Sequence, residues 1–222
     1  MTSHPFFPRN LSLPQYAPST IPLPTVLSIF FATLIAGMTA AYTLISRQTK
    51  DSPTRFLFVW WILCGSLHLF LEGYFISSYD TIAGDQTVIG AIWKEYAMSD
   101  SRYMTSDPFV VVIESLTVVI WGPLSYLAAY SLYTSHPSQH LLQFVISCGH
   151  LYGLLMYYGT EMFDGFSHAS PTFLHFYVYF LGFNFPWFVV PVWVILRSGG
   201  VIVRACAKFE GEGREVGNNK KS

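Results

Sequence analysis

The sequence predicts an all-α integral membrane protein, a five-transmembrane-helix bundle forming a single membrane domain over residues 1–222. Three observations carry this expectation. Charged residues make up 11% of the chain and hydrophobic ones 52%, with a mean hydropathy of +0.40. A soluble domain holds about 25% charged residues. Five apolar runs have the length, about 20 residues, that crosses a bilayer as a helix. Two of those runs each contain one carboxylate, Glu72 and Glu114, and around Glu72 the stretch from Phe56 to Tyr79 is otherwise free of formal charge.

The N-terminal segment is Pro-rich, and the first apolar run is too long for a signal-peptide core, so no cleaved leader is expected. The first span covers about residues 24–46 and has no Asp, Glu, Lys or Arg. The second, about 54–78, holds Glu72 and, one turn earlier, His68. A cap loop, 79–108, separates it from the third span, about 109–133, which holds Glu114. The fourth, about 138–160, is uncharged but contains His140 and His150. The fifth, about 172–196, is uncharged and carries Pro186 and Pro191 as expected kinks. A polar tail, 197–222, follows.

Lys and Arg set the expected orientation. Arg47, Lys50 and Arg55 lie in the first loop, and Arg197, Arg204, Lys208, Arg214, Lys220 and Lys221 in the tail. Arg9, Lys94 and Arg102 fall on the opposite side, a split of nine against three. This predicts a cytosolic C-terminus and an N-terminus across the membrane. The net charge of −1 offers no basic patch for nucleic acid. Cys64, Cys148 and Cys206 are scattered, with no CxxC pair to suggest a disulfide framework or a zinc site.

A carboxylate in hydrocarbon is costly, so an intramembrane Glu marks a candidate functional site facing a polar cavity. At about 1.5 Å per residue, Glu72 and Glu114 come to adjacent depths below the same face, with His68 deeper. Cys64, His68, Glu72 and Phe75 share one helical stripe, Glu114, Thr117 and Trp121 a second, and Asn184 with Trp187 a third. Polar residues also join transmembrane helices in proteins with no catalytic role, and that reading stands beside the functional one. In the cap loop, Trp93-Lys94-Glu95-Tyr96 and Asp100-Ser101-Arg102-Tyr103 suggest a folded cap with local salt bridges. There is no dinucleotide fingerprint, Walker A motif or HExxH, nor a haem or iron–sulfur cysteine pattern. Proton transfer on an apolar substrate, or binding alone, remains.

The stretches His68-Leu-Phe-Leu-Glu72-Gly-Tyr-Phe75, Trp93-Lys-Glu-Tyr-Ala-Met-Ser-Asp100-Ser-Arg102-Tyr103, Glu114-Ser-Leu-Thr117 and Trp121-Gly-Pro123 resemble the emopamil-binding protein family of 3β-hydroxysteroid Δ8,Δ7-isomerases. Leu151-Tyr152-Gly153, and Asn184 with Trp187 and Pro191, continue the likeness, and the segment from His4 to Pro18 is similar to plant-type members. The resemblance runs from about residue 4 to 197. It implies a five-helix endoplasmic reticulum protein of the wider family that includes the sigma-2 receptor. It further implies that His68, Glu72, Glu114, Thr117, Asn184 and Trp187 are the functional set. Two departures stand out. His150 occupies a position where glutamine is expected, and the connection Thr160-Glu161-Met-Phe-Asp164-Gly165 differs. Neither is expected to touch the functional set.

The implied reaction adds a proton at carbon 9 of a sterol, leaves a cation at carbon 8, and removes a proton from carbon 7. It uses no redox cofactor. His68, oriented by Glu72, is the expected donor and Glu114 the acceptor, with the reverse assignment open. Trp187 would face the cation. Thr117 and Asn184 would orient the catalytic groups, and Trp121 and Tyr152 would help line the substrate site. Glu95, Asp100, Arg102 and Tyr103 are assigned to the cap. The expected partners are a sterol, lipophilic amines and membrane lipid, with room for a homodimer, and no metal or cofactor is expected. A non-catalytic sterol- or amine-binding protein is the alternative. A proton-coupled transporter is weakened by the lack of an internal repeat.

Overall fold

The computed structural model describes residues 4–219, all-helical apart from loops and one isolated bridge. Five helices are long and apolar enough to cross a membrane: α1 (Leu23–Ser46), α2 (Ser52–Ser78), α4 (Pro108–Tyr133), α5 (Gln139–Phe163) and α6 (Leu174–Glu212). A shorter helix, α3 (Val88–Tyr96), lies in the cap. The starts follow local rules. Asp51, Thr87 and Asp107 each accept a backbone N–H of the first turn of α2, α3 and α4. Pro53 and Pro108 sit just inside two of those helices, where a missing N–H costs nothing.

The spanning helices are unequally buried. α1 fully buries only Val26, Ala41 and Ile45, and most of its remaining surface is exposed. α2 is central, with Leu57, Trp61, Cys64, His68 and Phe75 all buried. At Gly65 it runs so close to α4 that an added Cβ would sit 2.8 Å from the Tyr126 ring. Small residues at such crossings let helix backbones approach in a membrane. Two apolar clusters fill the bundle. One holds Phe6, Phe75, Trp93, Tyr103, Tyr157 and Phe180 at the cap end. The other holds Ile45, Leu57, Trp61, Cys64, Leu132 and Val194. His68 and Glu72 lie on α2 between the Cys64 and Phe75 layers.

Three stretches are wound as π-helix: Leu67–Glu72 in α2, Thr117–Trp121 in α4 and Leu174–Gly182 in α6. An extra residue per turn re-aims side chains, and such turns recur at functional sites. The first two carry His68, Glu72 and Thr117. In α6, a turn over residues 183–185 separates the π-wound stretch from the α-helix that Pro186 opens, and Pro191 lies inside that helix.

Two features differ from the sequence expectation. The fifth helix does not end near residue 196 but continues to Asn219. Ser198 is buried, with its hydroxyl 3.3 Å from His140 Nδ1 on α5, whereas residues 203–212 are exposed, so the extension rests on α5 only at its start. Lys220 and Lys221, counted in the tail, lie outside the described residues. The cap is folded, but its charges are only partly paired locally. Arg102 bridges Asp100 at 2.7 Å and also reaches Glu161 of α5 at 3.3 Å. Lys94 instead donates to the carbonyls of Ala17 (3.0 Å) and Asp85 (2.5 Å), and Glu95 accepts from Tyr179 at 3.0 Å. The cap is thus held to the N-terminal segment by Lys94, to α6 by Glu95 and to α5 by Arg102. Burying Lys94 and Arg102 demands these partners, since an unpaired charge inside is costly.

Candidate active site

The polar residues of α2 and α4 meet between the two apolar clusters. His68 Nδ1 lies 2.7 Å from Glu72 Oε2 and 2.9 Å from Oε1. Thr117 Oγ1 lies 2.5 Å from the same Glu72 Oε2, 2.7 Å from the Glu114 carbonyl and 3.3 Å from Glu114 Oε2. One hydroxyl therefore stands between the two intramembrane carboxyls. Glu72 is the more open partner of the imidazole, with a side chain 16% exposed against 4% for His68. Glu114 is buried.

The cap closes over this array. Tyr103 donates its phenol hydrogen to Glu114 Oε1 at 2.5 Å. Its ring is stacked on Trp93 at 4.8 Å and meets the edges of Phe75 and Tyr96 at 5.2 and 5.3 Å. Burial, and then the nearby Glu114 charge, push the Tyr103 hydroxyl well above the usual phenol range. It therefore remains a donor at any physiological pH. Trp93 is itself tied to the π-wound turn of α2, donating Nε1–H to the Leu71 carbonyl at 2.9 Å. Asn184 on α6 donates to Tyr96 Oη at 2.9 Å.

On the other side of His68, its Nε2 lies 3.1 Å from Nε2 of His150 on α5, with the rings edge-on at 5.0 Å. Trp61 and Trp121 flank His150 at 6.0 and 6.2 Å. The array is therefore continuous: His150, His68, Glu72, Thr117, Glu114, Tyr103.

The structure brings His68, Glu72, Thr117 and Glu114 into direct contact. Trp121 borders them through His150. Asn184 reaches them only through Tyr96 and Tyr103. Trp187 packs on Trp60 at 5.2 Å, in the same apolar cluster as Trp121. Tyr152 is 66% exposed on the outer side of α5, away from the array. Glu95, Asp100 and Arg102 hold the cap, whereas Tyr103 belongs to both cap and site.

His150 corrects the expectation that neither sequence departure touches the functional set. The second departure also makes contact with the cap. Glu161 Oε1 accepts the backbone N–H groups of His168 and Ala169, at 2.7 and 2.9 Å, while its other oxygen faces Arg102. The missed signal was present in both cases. His150 is an ionisable residue inside an apolar span, and Glu161 is one at the end of the same helix, and each is buried against a polar partner.

A mostly buried imidazole–carboxyl–hydroxyl–carboxyl array on a five-helix membrane scaffold defines a class, a polytopic membrane protein with ionisable groups inside its bundle. Residues 88–198 match the family model for the EXPERA (EXPanded EBP superfamily) domain. The chain is 38% identical over 195 residues to a 3-beta-hydroxysteroid-Delta(8),Delta(7)-isomerase of Cavia porcellus, covering 85% of this chain and 84% of that protein. It is 35% identical over 213 residues to a probable isomerase of the same name from Oryza sativa subsp. japonica, covering 94% and 95%. It is also 34% identical over 181 residues to an isomeliandiol synthase of Melia azedarach, covering 81% of each. The chain belongs to the EXPERA superfamily.

Proposed function

We propose that the chain is a sterol Δ8–Δ7 isomerase, moving a ring double bond by intramembrane protonation and deprotonation. The observation that carries this reading is the unbroken array from His68 through Glu72 and Thr117 to Glu114, set between apolar layers. A neutral sterol could be bound without any such set. The names of the relatives support the same reaction class.

Both nitrogens of His68 are engaged by the protein, Nδ1 by Glu72 and Nε2 by His150. The His68–Glu72 pair therefore presents its proton through the more exposed carboxyl of Glu72. That proton adds at carbon 9, and the cation forms at carbon 8. Glu114 takes the proton from carbon 7, and the double bond closes between carbons 7 and 8. Glu114 now holds a proton and Glu72 lacks one. The Thr117 hydroxyl between them returns it, so the cycle balances without an external acid. Two carboxyls sharing one proton is a recurring way to hold an acid and a base in one site. Trp187 offers a π face to the cation, and Trp121 and Asn184 shape the slot.

Lipophilic amines should compete with the sterol, because a protonated amine mimics the cation and such mimics gain affinity over substrate. Unchanged amine affinity in Glu72→Gln and Trp187→Ala proteins would exclude that site. The proposed location is the endoplasmic reticulum membrane, with the N-terminus lumenal and the C-terminus cytosolic, supported by the Lys and Arg distribution. The decisive experiment is sterol profiling of a strain that lacks its own isomerase and expresses this chain. Δ7 sterols should appear at the expense of Δ8 sterols. Persistence of Δ8 sterols with the protein folded in the membrane would remove the assignment.

A further inference from the structure

His150 is a buried, ionisable group that the reaction scheme above uses only as a neighbour occupying His68 Nε2. Two ring nitrogens 3.1 Å apart, His68 Nε2 and His150 Nε2, hold one hydrogen between them. One ring must donate and the other accept. The surroundings decide which. His150 Nδ1 is buried and has no hydrogen-bond partner among the described residues. A buried N–H without a partner is rarer than a bare acceptor. The hydrogen of His150 therefore sits on Nε2, where it has an acceptor, and Nδ1 carries the lone pair. His68 Nε2 must then accept. The single hydrogen of His68 is left on Nδ1, 2.7 Å from Glu72 Oε2.

We infer that His150 is a positioning residue that holds His68 neutral with its proton on Nδ1, facing Glu72. Protonating His68 at Nε2 would reverse the contact and move the His150 hydrogen to the partnerless Nδ1. Trp61 and Trp121 on either side keep the His150 ring from turning to find another partner. The consequence is chemical. The catalytic proton stays on the carboxyl side of the His68–Glu72 pair instead of being trapped on an imidazolium. This inference rests on the isomerase reading.

Full-length His150→Gln and His150→Leu proteins test it, with sterol turnover measured beside wild type. The Gln variant should keep kcat within about threefold of wild type, because an amide N–H donates as an imidazole N–H does. The Leu variant should lose kcat by between about 10-fold and about 10⁴-fold, as happens where the partner orienting a reactive histidine is removed, with KM for sterol unchanged. Wild-type kcat in the Leu protein overturns the inference. Nitrogen-15 spectra of histidine-labelled wild-type protein give an independent reading, with the His68 signals identified by their loss in His68→Gln. A bare Nε2 and a protonated Nδ1 are expected. The opposite tautomer overturns the inference even if the Leu variant fails to fold. An inactive wild-type protein would sink the isomerase reading, whereas an active wild type with an equally active Leu variant would sink this inference alone.

Discussion

The Tyr103 phenol donates to Glu114 Oε1 at 2.5 Å, so a residue of the cap completes the hydrogen bonding of a carboxyl carried by a spanning helix. Tyr103 is stacked on Trp93, which is anchored to the Leu71 carbonyl of α2. The cap and Glu114 are thereby held in place by one chain of contacts. A cap displaced by a few ångströms would leave Oε1 without its donor.

Tyr103→Phe keeps the ring stack and removes only the hydroxyl. A hydrogen bond to a charged group is worth about 1.5–3 kcal/mol, so turnover should fall by roughly 10-fold to 150-fold with the fold intact. Steady-state kinetics on purified protein would read this. Unaltered kcat would mean that the contact serves packing alone.

Glu114→Gln should abolish isomerisation while preserving shape, since the amide matches the carboxyl in size but cannot take the carbon 7 proton. Glu72→Gln and His68→Ala should also abolish isomerisation. Wild-type turnover in any of these purified variants would take that residue out of the mechanism.

Arg102→Ala should destabilise the cap by about 3–5 kcal/mol, because it strands Asp100 and Glu161 as buried carboxyls without their cation. Thermal unfolding in detergent measures the loss. A melting temperature like that of wild type would show that the hydrogen bond from Tyr157 to Asp100 and the backbone bonds to Glu161 suffice.

Orientation is testable through Asn10-Leu11-Ser12, the one N-x-[ST] sequon in the chain. Moved outward by a flexible N-terminal spacer, it should become glycosylated in a eukaryotic host. A sequon-bearing tag after Ser222 should stay bare. Modification of the C-terminal tag alone would invert the topology and place the carboxyls in the cytosolic half.

The sequence alone determined the five spans, because bilayer length and desolvation cost are properties of a run of residues read one after another. It also singled out Glu72, Glu114 and His68, since a lone ionisable group in such a run is conspicuous wherever the helix packs. The tertiary structure decided what those groups touch. The π-wound turns at Leu67–Glu72 and Thr117–Trp121 have no composition of their own, yet they help set the aim of His68, Glu72 and Thr117. The contact of His150 with His68 spans 82 positions and depends on the register of α5 against α2. The reach of Tyr103 to Glu114 depends on how the cap folds over the bundle. In the same way, the burial of Ser198 against α5, just past the apolar stretch of α6, is a contact between helices. Hydrophobicity is a local, additive property of the chain, whereas contacts between helices are selected by packing in three dimensions.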